Sequence, residues 1–295
     1  MSKRSSSWNS VCGDIPLNAV DRARYKANAW LERVRQRFQS FPAPVEAYEP
    51  HLDADRLIAD FGDPIRVASP TRALCYDFVA NKMPEIVGER PSVLDLGCGN
   101  GNYAQHLKIA LNFRHYQGYD IKESPEWPKY RSDEIEFGTA TLGVDEIDVG
   151  DATCVFSQSV LEHVRYDAEV FGLLRSKSPK TIRHVHCVPT PESHVEHRYH
   201  GYRRYGPGEL TRLLDHPGLS NIRIYALGNS ATREMYWHQR HKPKRFASRS
   251  ERKRYPYLYD QNLTCVENLQ RNRQSIKPLH PIEASFYILT FDQQL

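Results

Sequence analysis

Residues 93–104 read VLDLGCGNGNYA, and this stretch decides the fold of the chain. A short apolar run reaches Asp95, and glycines then alternate with other residues at Gly97, Gly99 and Gly101. Glycine lets the backbone turn sharply and lets a ligand lie directly against it. The pattern therefore predicts a β-strand, a tight turn and the N-terminus of a helix, which is the arrangement at the ligand crevice of open α/β sheets.

The spacing of these glycines differs from that of the dinucleotide fingerprint G-x-G-x-x-G. Here it is G-x-G-x-G, and an acid lies two residues before the first glycine. A carboxylate there repels a pyrophosphate and favours a ligand with an ammonium or sulfonium group. The string VLDLGCGNG resembles motif I of class I S-adenosylmethionine-dependent methyltransferases. That resemblance implies S-adenosyl-L-methionine as the cofactor, contacted by Asp95, Gly97, Cys98, Gly99 and Gly101.

The next two predicted strands carry the expected contacts to the nucleoside. HYQGYDI (115–121) contains Asp120, at the position of the acid that holds a ribose diol in nucleotide-binding α/β folds. The resemblance implies that Asp120 binds both ribose hydroxyls and that Ile121 packs on the adenine. The third strand, EIEFGTA (134–140), lacks the Asp that often follows it in such enzymes. Backbone groups near Ala140, or a threonine hydroxyl, are therefore expected to contact the adenine.

The fourth match is ATCVFSQSVLEHV (152–164). Residues 152–156 predict an apolar strand with Ser157 at its mouth, a further expected cofactor contact. Val160 begins a helix that the pattern continues through Leu174. VLEHV at this distance from motif I resembles the small-molecule branch of the same superfamily, and the resemblance extends over about residues 70–228.

These segments predict an α/β fold with a Rossmann-like, seven-stranded, mostly parallel sheet whose last strand is antiparallel. The other three strands are predicted over 181–189, 221–227 and 284–291, the last two forming an antiparallel pair at the end of the sheet. Residues 69–295 form the predicted methyltransferase domain, with a basic and aromatic insertion at 229–283.

Residues 1–68 form a predicted N-terminal tail and helical extension. Residues 1–20 read as a loose tail, 21–41 as an amphipathic helix, and 41–50 as a proline-rich linker. Ser69 and Pro70 predict the N-cap and first residue of the helix that leads into the glycine motif. We expect the extension to cap the cofactor cleft or to mediate a contact, or else to act only as a packing extension.

Composition limits the compartment and the partners. The net charge of +4 over 295 residues does not by itself indicate nucleic acid. No apolar run could span a bilayer, and the basic start lacks the apolar stretch of a signal peptide. The six cysteines are scattered without a CxxC pair, which is typical of reduced thiols and predicts a cytoplasmic location.

Histidines near the predicted cleft are the candidates for acid–base catalysis. Methyl transfer from a sulfonium needs an aligned nucleophile, and a hydroxyl acceptor also benefits from a base. We single out His163, His194 and His197 as candidate bases. The last two belong to the loop 189–207, which follows the fifth strand at its carboxyl end, and Tyr202, Arg203 and Arg204 of that loop are the predicted acceptor contacts.

The sequence predicts no metal site. In some quinone-ring O-methyltransferases an acid three residues before a Glu-His pair joins that pair in binding a divalent ion, but Ser159 occupies that position here. His184 and His186 share one strand face, and no second ligand pair lies at a familiar spacing. Two buried strand histidines are the favoured interpretation.

The predicted function is O- or N-methylation of a small polar molecule, such as a sugar or a glycolipid head group. One alternative is an RNA or protein methyltransferase that uses the basic insertion, whose affinity would collapse with salt. Another is a catalytically idle protein that binds the cofactor without turnover. Nucleic acid is thus a conceivable partner but not the favoured one, and the sequence does not decide the oligomeric state.

Overall fold

An eight-stranded mixed sheet forms the centre of the molecule, a computed structural model that describes residues 11–62, 68–195, 199–241 and 264–295. The strands are β1 (Val45–Ala47), β2 (Ser92–Leu96), β3 (His115–Asp120), β4 (Ile135–Thr139), β5 (Ile147–Asp148), β6 (Cys154–Gln158), β7 (Leu174–Arg175), β8 (Thr181–Pro189), β9 (Leu219–Leu227) and β10 (Phe286–Gln294). The order across the large sheet is β1-β9-β10-β8-β6-β2-β3-β4, and β5 pairs with β7 in a separate two-stranded sheet.

Within the large sheet, only β10 runs against the other strands, and it lies between β8 and β9. The predicted Rossmann-like sheet with an antiparallel last strand is therefore confirmed. Strand β2 is buried along its whole length, as expected for a strand covered by helices on both faces. The eighth strand, β1, was not predicted.

Helices cover both faces of the sheet. They are α1 (Ala19–Arg35), α2 (Ala54–Phe61), α3 (Pro70–Asn81), α4 (Met83–Val87), α5 (Tyr103–Leu111), α6 (Trp127–Tyr130), α7 (Glu169–Gly172), α8 (Pro207–Leu214), α9 (Ser230–His241), α10 (Cys265–Arg271) and α11 (Arg273–Ile276). Helix α3 begins as predicted, since the Ser69 side chain accepts a hydrogen bond from the Arg72 amide and Pro70 is its first residue.

The segment that follows β6 is not the continuous helix predicted from its apolar spacing. It contains a 3₁₀ turn at Leu161–His163 and the short helix α7, and Leu174 belongs to a strand. The carbonyls of Leu161, Val164 and Arg165 accept hydrogen bonds from the Arg203 guanidinium. Strand β6 itself ends at Gln158 rather than at residue 156.

The N-terminal residues pack more closely than predicted. Val45–Ala47, inside the predicted linker, pairs in parallel with β9. Val11 and Leu17 are buried against α1, and the Gly13 amide donates to the Gly201 carbonyl at 2.8 Å. Residues 11–18 are therefore not a loose tail. We call them the N-terminal strap.

Two further sequence predictions concern the whole chain. None of the six cysteines forms a disulfide. In the ranges that the structure describes, no helix has both the length and the apolar character needed to cross a bilayer. The division at residue 68 into an extension and a main domain stays a prediction, and the basic residues from Lys242 to Arg254 lie outside the described residues.

Candidate active site

The glycine turn after β2 requires glycine for steric reasons. Gly97 has φ +75°, and a Cβ atom there would lie 2.5 Å from the Cγ atoms of Val160. A Cβ at Gly101, where φ is +86°, would lie 2.8 Å from the Phe137 ring. Side chains at these two positions would be both strained and blocked. The local fold therefore matches the sequence motif that predicted it.

Asp120 ties the glycine turn to the end of β3. Its Oδ2 accepts from the Gly99 amide and its Oδ1 from the Ile121 amide, both at 2.8 Å. A carboxylate oxygen can accept more than one hydrogen bond, so each oxygen keeps acceptor capacity. Asp120 also lines a cavity, so its oxygens are placed to accept hydrogen bonds from a ligand there.

A cavity of about 550 Å³ opens over the glycine turn. This volume lies within the range of about 300–1,000 Å³ typical of small-molecule sites. Gly97, Asp120, Ile121 and Ala140, four of the predicted cofactor contacts, are on its wall. Its remaining lining residues are Thr141, Leu142, Val144, Ser159, Val160, His163, Val164, Arg165, Tyr166 and Tyr202.

Five predicted cofactor contacts are not on the wall of this cavity, namely Asp95, Cys98, Gly99, Gly101 and Ser157. Asp95 is only 2% exposed and accepts a 2.6 Å hydrogen bond from the Tyr116 hydroxyl. Burial raises the pKa of the Asp95 carboxyl to about 7. Ser157 is fully buried, and its Oγ lies 2.7 Å from Nδ1 of His186. Cys98 packs under the turn beside Gly118. The side chains of Asp95 and Ser157 are thus enclosed, and contact of these residues with a cofactor stays a prediction.

A second, smaller cavity adjoins the first. It measures about 190 Å³, and Ser159 lines both. Ser159 has φ +55°, an unusual conformation for a residue with a side chain. Arg72, His200 and Arg204 line the small cavity. Its other lining residues are Ser69, Thr71, Cys75, Gln158, Pro189, Ser193 and Phe286. Arg204 is buried, and its Nη1 donates to the backbone carbonyls of His200 and Arg203.

Two histidines and two acids lie next to the cavities. His163 lines the large cavity and His200 the small one, and their rings meet edge to face with centroids 4.3 Å apart. Asp14 of the N-terminal strap lies 2.7 Å from Nδ1 of His163 and 3.3 Å from Nδ1 of His200. Glu162 lies on their other side, with Oε1 3.9 Å and 3.8 Å from the two Nε2 atoms. We call these four residues the His–acid cluster.

The environment shifts the pKa of three members of the His–acid cluster. Burial opposes ionisation of Asp14, but hydrogen bonds from His163 and His200 hold its pKa well below the usual range. Burial also opposes protonation of His163, yet Asp14 and the charge of Glu162 outweigh it and raise the His163 pKa. Burial raises the pKa of the Glu162 carboxyl.

The loop 189–207 meets its predicted role only in part. Tyr202 lines the large cavity and Arg204 the small one. Arg203 is fully buried, donates to three backbone carbonyls and pairs with buried Asp167 at 3.2 Å, so the prediction that it binds an acceptor is wrong. His194 lies in the turn Pro191–Val195 and lines neither cavity. His197 is outside the described residues.

The two strand histidines are buried, which was the favoured interpretation. His184 and His186 have no exposed surface, and Nδ1 of His184 lies 3.0 Å from Nε2 of His186. Burial lowers the pKa of both imidazoles, that of His186 to about 3. Neutral imidazoles joined to Ser157 form a buried hydrogen-bonded row inside the sheet.

Sequence reasoning missed Asp14 and the second cavity. Asp14 was assigned to a loose tail, and no local pattern indicates its contact with a histidine 149 positions away. Arg72 was seen only as part of a helix. His200 belongs to the predicted acceptor loop 189–207, and its place in a run of histidines and arginines was a usable signal.

No protein-family model matches the chain, and no curated protein matches it. Among solved structures, a SAM-dependent methyltransferase from Archaeoglobus fulgidus is 15% identical, covers 82% of this chain and 100% of its own, and has a TM-score of 0.43. One from Mesorhizobium loti is 12% identical with coverages of 73% and 95% and a TM-score of 0.40. Phosphoethanolamine N-methyltransferase 2 from Haemonchus contortus is 12% identical with coverages of 72% and 50% and a TM-score of 0.41. Similarity at this level supports no statement about activity.

Proposed function

We propose that the protein is an S-adenosyl-L-methionine-dependent methyltransferase that acts on a small polar acceptor. The observation that carries this proposal is the position of Asp120, which joins the glycine turn to β3 and also lines the large cavity. An acceptor-only carboxylate at the end of the second strand suits the two hydroxyls of a ribose. The cavity is large enough for a nucleoside with an amino-acid side arm.

The methyl acceptor is assigned to the small cavity. Ser159 lies on the shared wall, so a group held in the small cavity would be next to the large one. A volume of about 190 Å³ fits a small molecule or the end of a longer one. Arg72 and Arg204 favour an acceptor with a carboxylate, a phosphate or several hydroxyls, because guanidinium groups donate forked hydrogen bonds to such oxygens.

For a hydroxyl acceptor, the His–acid cluster is the group that would act on the hydroxyl proton. His163 reaches the large cavity and His200 the small one, so the cluster lies between the proposed donor and acceptor. His194 is set aside as a base because it lines neither cavity. The role of His197 and a cytoplasmic location stay predictions.

A transfer assay with methyl-labelled cofactor tests the acceptor class. The full chain is incubated with a cell extract, and the label is followed into small-molecule, RNA and protein fractions. We expect label in the small-molecule fraction, and loss of it with Arg204→Ala. Label confined to RNA or protein, abolished by nuclease or protease, would contradict the small-acceptor proposal. Binding of the cofactor without label in any fraction would indicate an idle binding protein.

A further inference from the structure

Helix α1 turns its apolar side away from the rest of the protein. Of the eleven large apolar side chains that are exposed in the described residues, five lie on α1 and on the 3₁₀ turn Gln36–Phe38 that follows it. They are Val20, Trp30, Leu31, Val34 and Phe38, of which Trp30 is 62% and Phe38 84% exposed. Single exposed apolar residues are common on protein surfaces, but a contiguous group of them indicates a binding surface.

The helical spacing places these side chains on one side of α1. At about 3.6 residues per turn, Val20, Trp30, Leu31 and Val34 fall within an arc of about 100° around the helix axis. Phe38, four residues after Val34, continues the same row past the end of the helix. We call these five side chains the outer face of α1.

Polar contacts hold the opposite side of α1 on the protein. Gln36 is buried, and its Nε2 donates to Oε1 of Glu192 at 3.0 Å. Arg33 donates two hydrogen bonds to the same carboxylate, at 2.8 Å and 3.1 Å. The Tyr25 hydroxyl donates to the His200 carbonyl at 2.6 Å. These contacts fix the rotation of α1 about its axis, so the outer face is turned to the surroundings.

Basic side chains border the outer face on both sides. By the same spacing, exposed Arg24 and Arg35 lie along one border, and exposed Lys26 and Arg37 lie along the other. Arg35 pairs with Glu32 at 3.1 Å. Residues 19–38 carry six basic and two acidic side chains, a net charge of +4, which equals the net charge of the whole chain. The positive excess of the protein is therefore concentrated around this face.

We propose that the outer face of α1 binds the surface of a membrane that contains anionic lipids. A helix with aromatic and aliphatic side chains on one face and arginine and lysine at its borders lies in the plane of such a surface, with the apolar side chains among the acyl chains and the basic ones at the phosphates. Two copies of this face would bring their basic borders together, which disfavours self-association. The inference goes beyond methyl transfer and does not rest on it.

The membrane would lie beside the small cavity. Tyr25 on the inner side of α1 contacts His200, which lines that cavity. A helix with its side chains is about 10–12 Å thick. Binding at the outer face would therefore bring lipid head groups to about one helix diameter from the cavity wall.

Flotation of the full chain with lipid vesicles tests the proposal. We expect it to float with vesicles of about one-third phosphatidylglycerol in phosphatidylcholine, and much less with phosphatidylcholine alone. Trp30→Ser/Phe38→Ser should weaken binding by about tenfold or more, because it removes two apolar side chains from the acyl region. Ile109→Ser is the matched control, since Ile109 is 50% exposed on helix α5, and it should bind as the parent does.

The basic borders are tested by reversing charge. Arg24→Glu/Arg37→Glu should weaken binding to the anionic vesicles by about tenfold or more. Arg90→Glu/Lys177→Glu changes the net charge by the same amount at two exposed residues outside α1, and it should bind as the parent does. Brominated acyl chains that quench tryptophan fluorescence in the parent should quench it less in Trp30→Phe, which places the Trp30 ring among the acyl chains.

The same measurements contain the contradicting outcomes. The proposal is overturned if the parent chain binds anionic vesicles no better than Trp30→Ser/Phe38→Ser, or if the two charge-reversal variants bind them equally. A parent dimer that Trp30→Ser/Phe38→Ser dissociates, with no binding to vesicles, would assign the face to a second copy of the chain. Circular dichroism verifies folding. Titration with S-adenosyl-L-methionine in the absence of vesicles tests the proposed function separately.

Discussion

The Asp14 carboxylate lies 2.7 Å from Nδ1 of His163 although 149 positions separate the two residues in the chain. The same Asp14 oxygen accepts from the Gly201 amide at 3.1 Å. The N-terminal strap thus binds both the turn after β6 and the loop that follows β8. Through this contact, a segment outside the sheet controls the orientation of a histidine on the cavity wall.

Adding a methyl group at Gly13 should displace the strap. A Cβ atom there would lie 2.2 Å from the His200 amide nitrogen, which is far below any van der Waals contact. We expect Gly13→Ala to raise hydrogen exchange at the amides of residues 11–18 and 199–202. Ile15→Ala is the matched control, since Ile15 is 60% exposed in the same segment. Equal exchange in both variants would show that the strap does not depend on this close approach.

Arg203 should matter for stability rather than for acceptor binding. Its guanidinium pairs with Asp167, and both side chains are fully buried. Removing one member of a buried ion pair costs about 3–5 kcal/mol, although Arg212 also contacts Asp167 at 2.7 Å and should reduce that loss. We expect Arg203→Ala to lower the free energy of unfolding in urea. An unchanged unfolding midpoint together with lost acceptor use would reverse this assignment.

Arg204 should affect acceptor use, and also stability, because it is buried and donates to two backbone carbonyls. It lines the small cavity, so Arg204→Ala is expected to raise the KM for the acceptor while leaving cofactor affinity unchanged. Arg165→Ala, on the wall of the large cavity, is a comparison that keeps the small cavity intact. Once an acceptor is known, initial rates over a range of its concentration give this result. If Arg204→Ala loses cofactor affinity as strongly as it loses acceptor use, the assignment of the acceptor to the small cavity is contradicted.

Asp95 should make the ligand-free protein less stable as the pH rises. Burial raises the pKa of this carboxyl to about 7, above its value in the unfolded chain. Between about pH 4 and pH 7 the Asp95 carboxyl is therefore protonated in the folded chain and ionised in the unfolded chain. The free energy of unfolding falls as the pH rises through that window. Asp95→Asn should remove this part of the dependence of stability on pH. Burial lowers the pKa of His106 to about 4, and His106 contributes the opposite dependence in parent and variant alike. Parallel pH profiles of unfolding for parent and variant would contradict the assignment.

The fold was predictable because its signals are local. Short stretches of sequence predict the glycine turn, the strands that end at Asp120 and Pro189, and the start of α3 at Pro70. The absence of a continuous helix after Val160 could not be predicted from such short stretches. There the Arg203 guanidinium, about forty positions later, donates to the Val164 and Arg165 carbonyls, a contact that no short stretch of sequence indicates.

The sequence predicted only those residues of the candidate site whose place depends on the position of the backbone alone. Gly97 and Asp120 follow from strand ends, and both line the cavity. The errors concern the direction of side chains. The polar loop suggested that Arg203 faces solvent or a ligand, but the Arg203 side chain pairs with Asp167 instead. Asp14 could not have been found from a pattern, since only the packing of the strap brings it to His163.

The central claim is that the cavity beside Asp120 binds S-adenosyl-L-methionine, and calorimetric titration of the full chain tests it most directly. We predict one site for the cofactor and for its demethylated product. Asp120→Ala should weaken both by about 1–3 kcal/mol through lost hydrogen bonds, Asp120→Asn by less, and the exposed control Asp133→Ala not at all. If folded protein gives no heat with either ligand up to about 1 mM, where even a binding free energy of about −4 kcal/mol would show, the account is wrong.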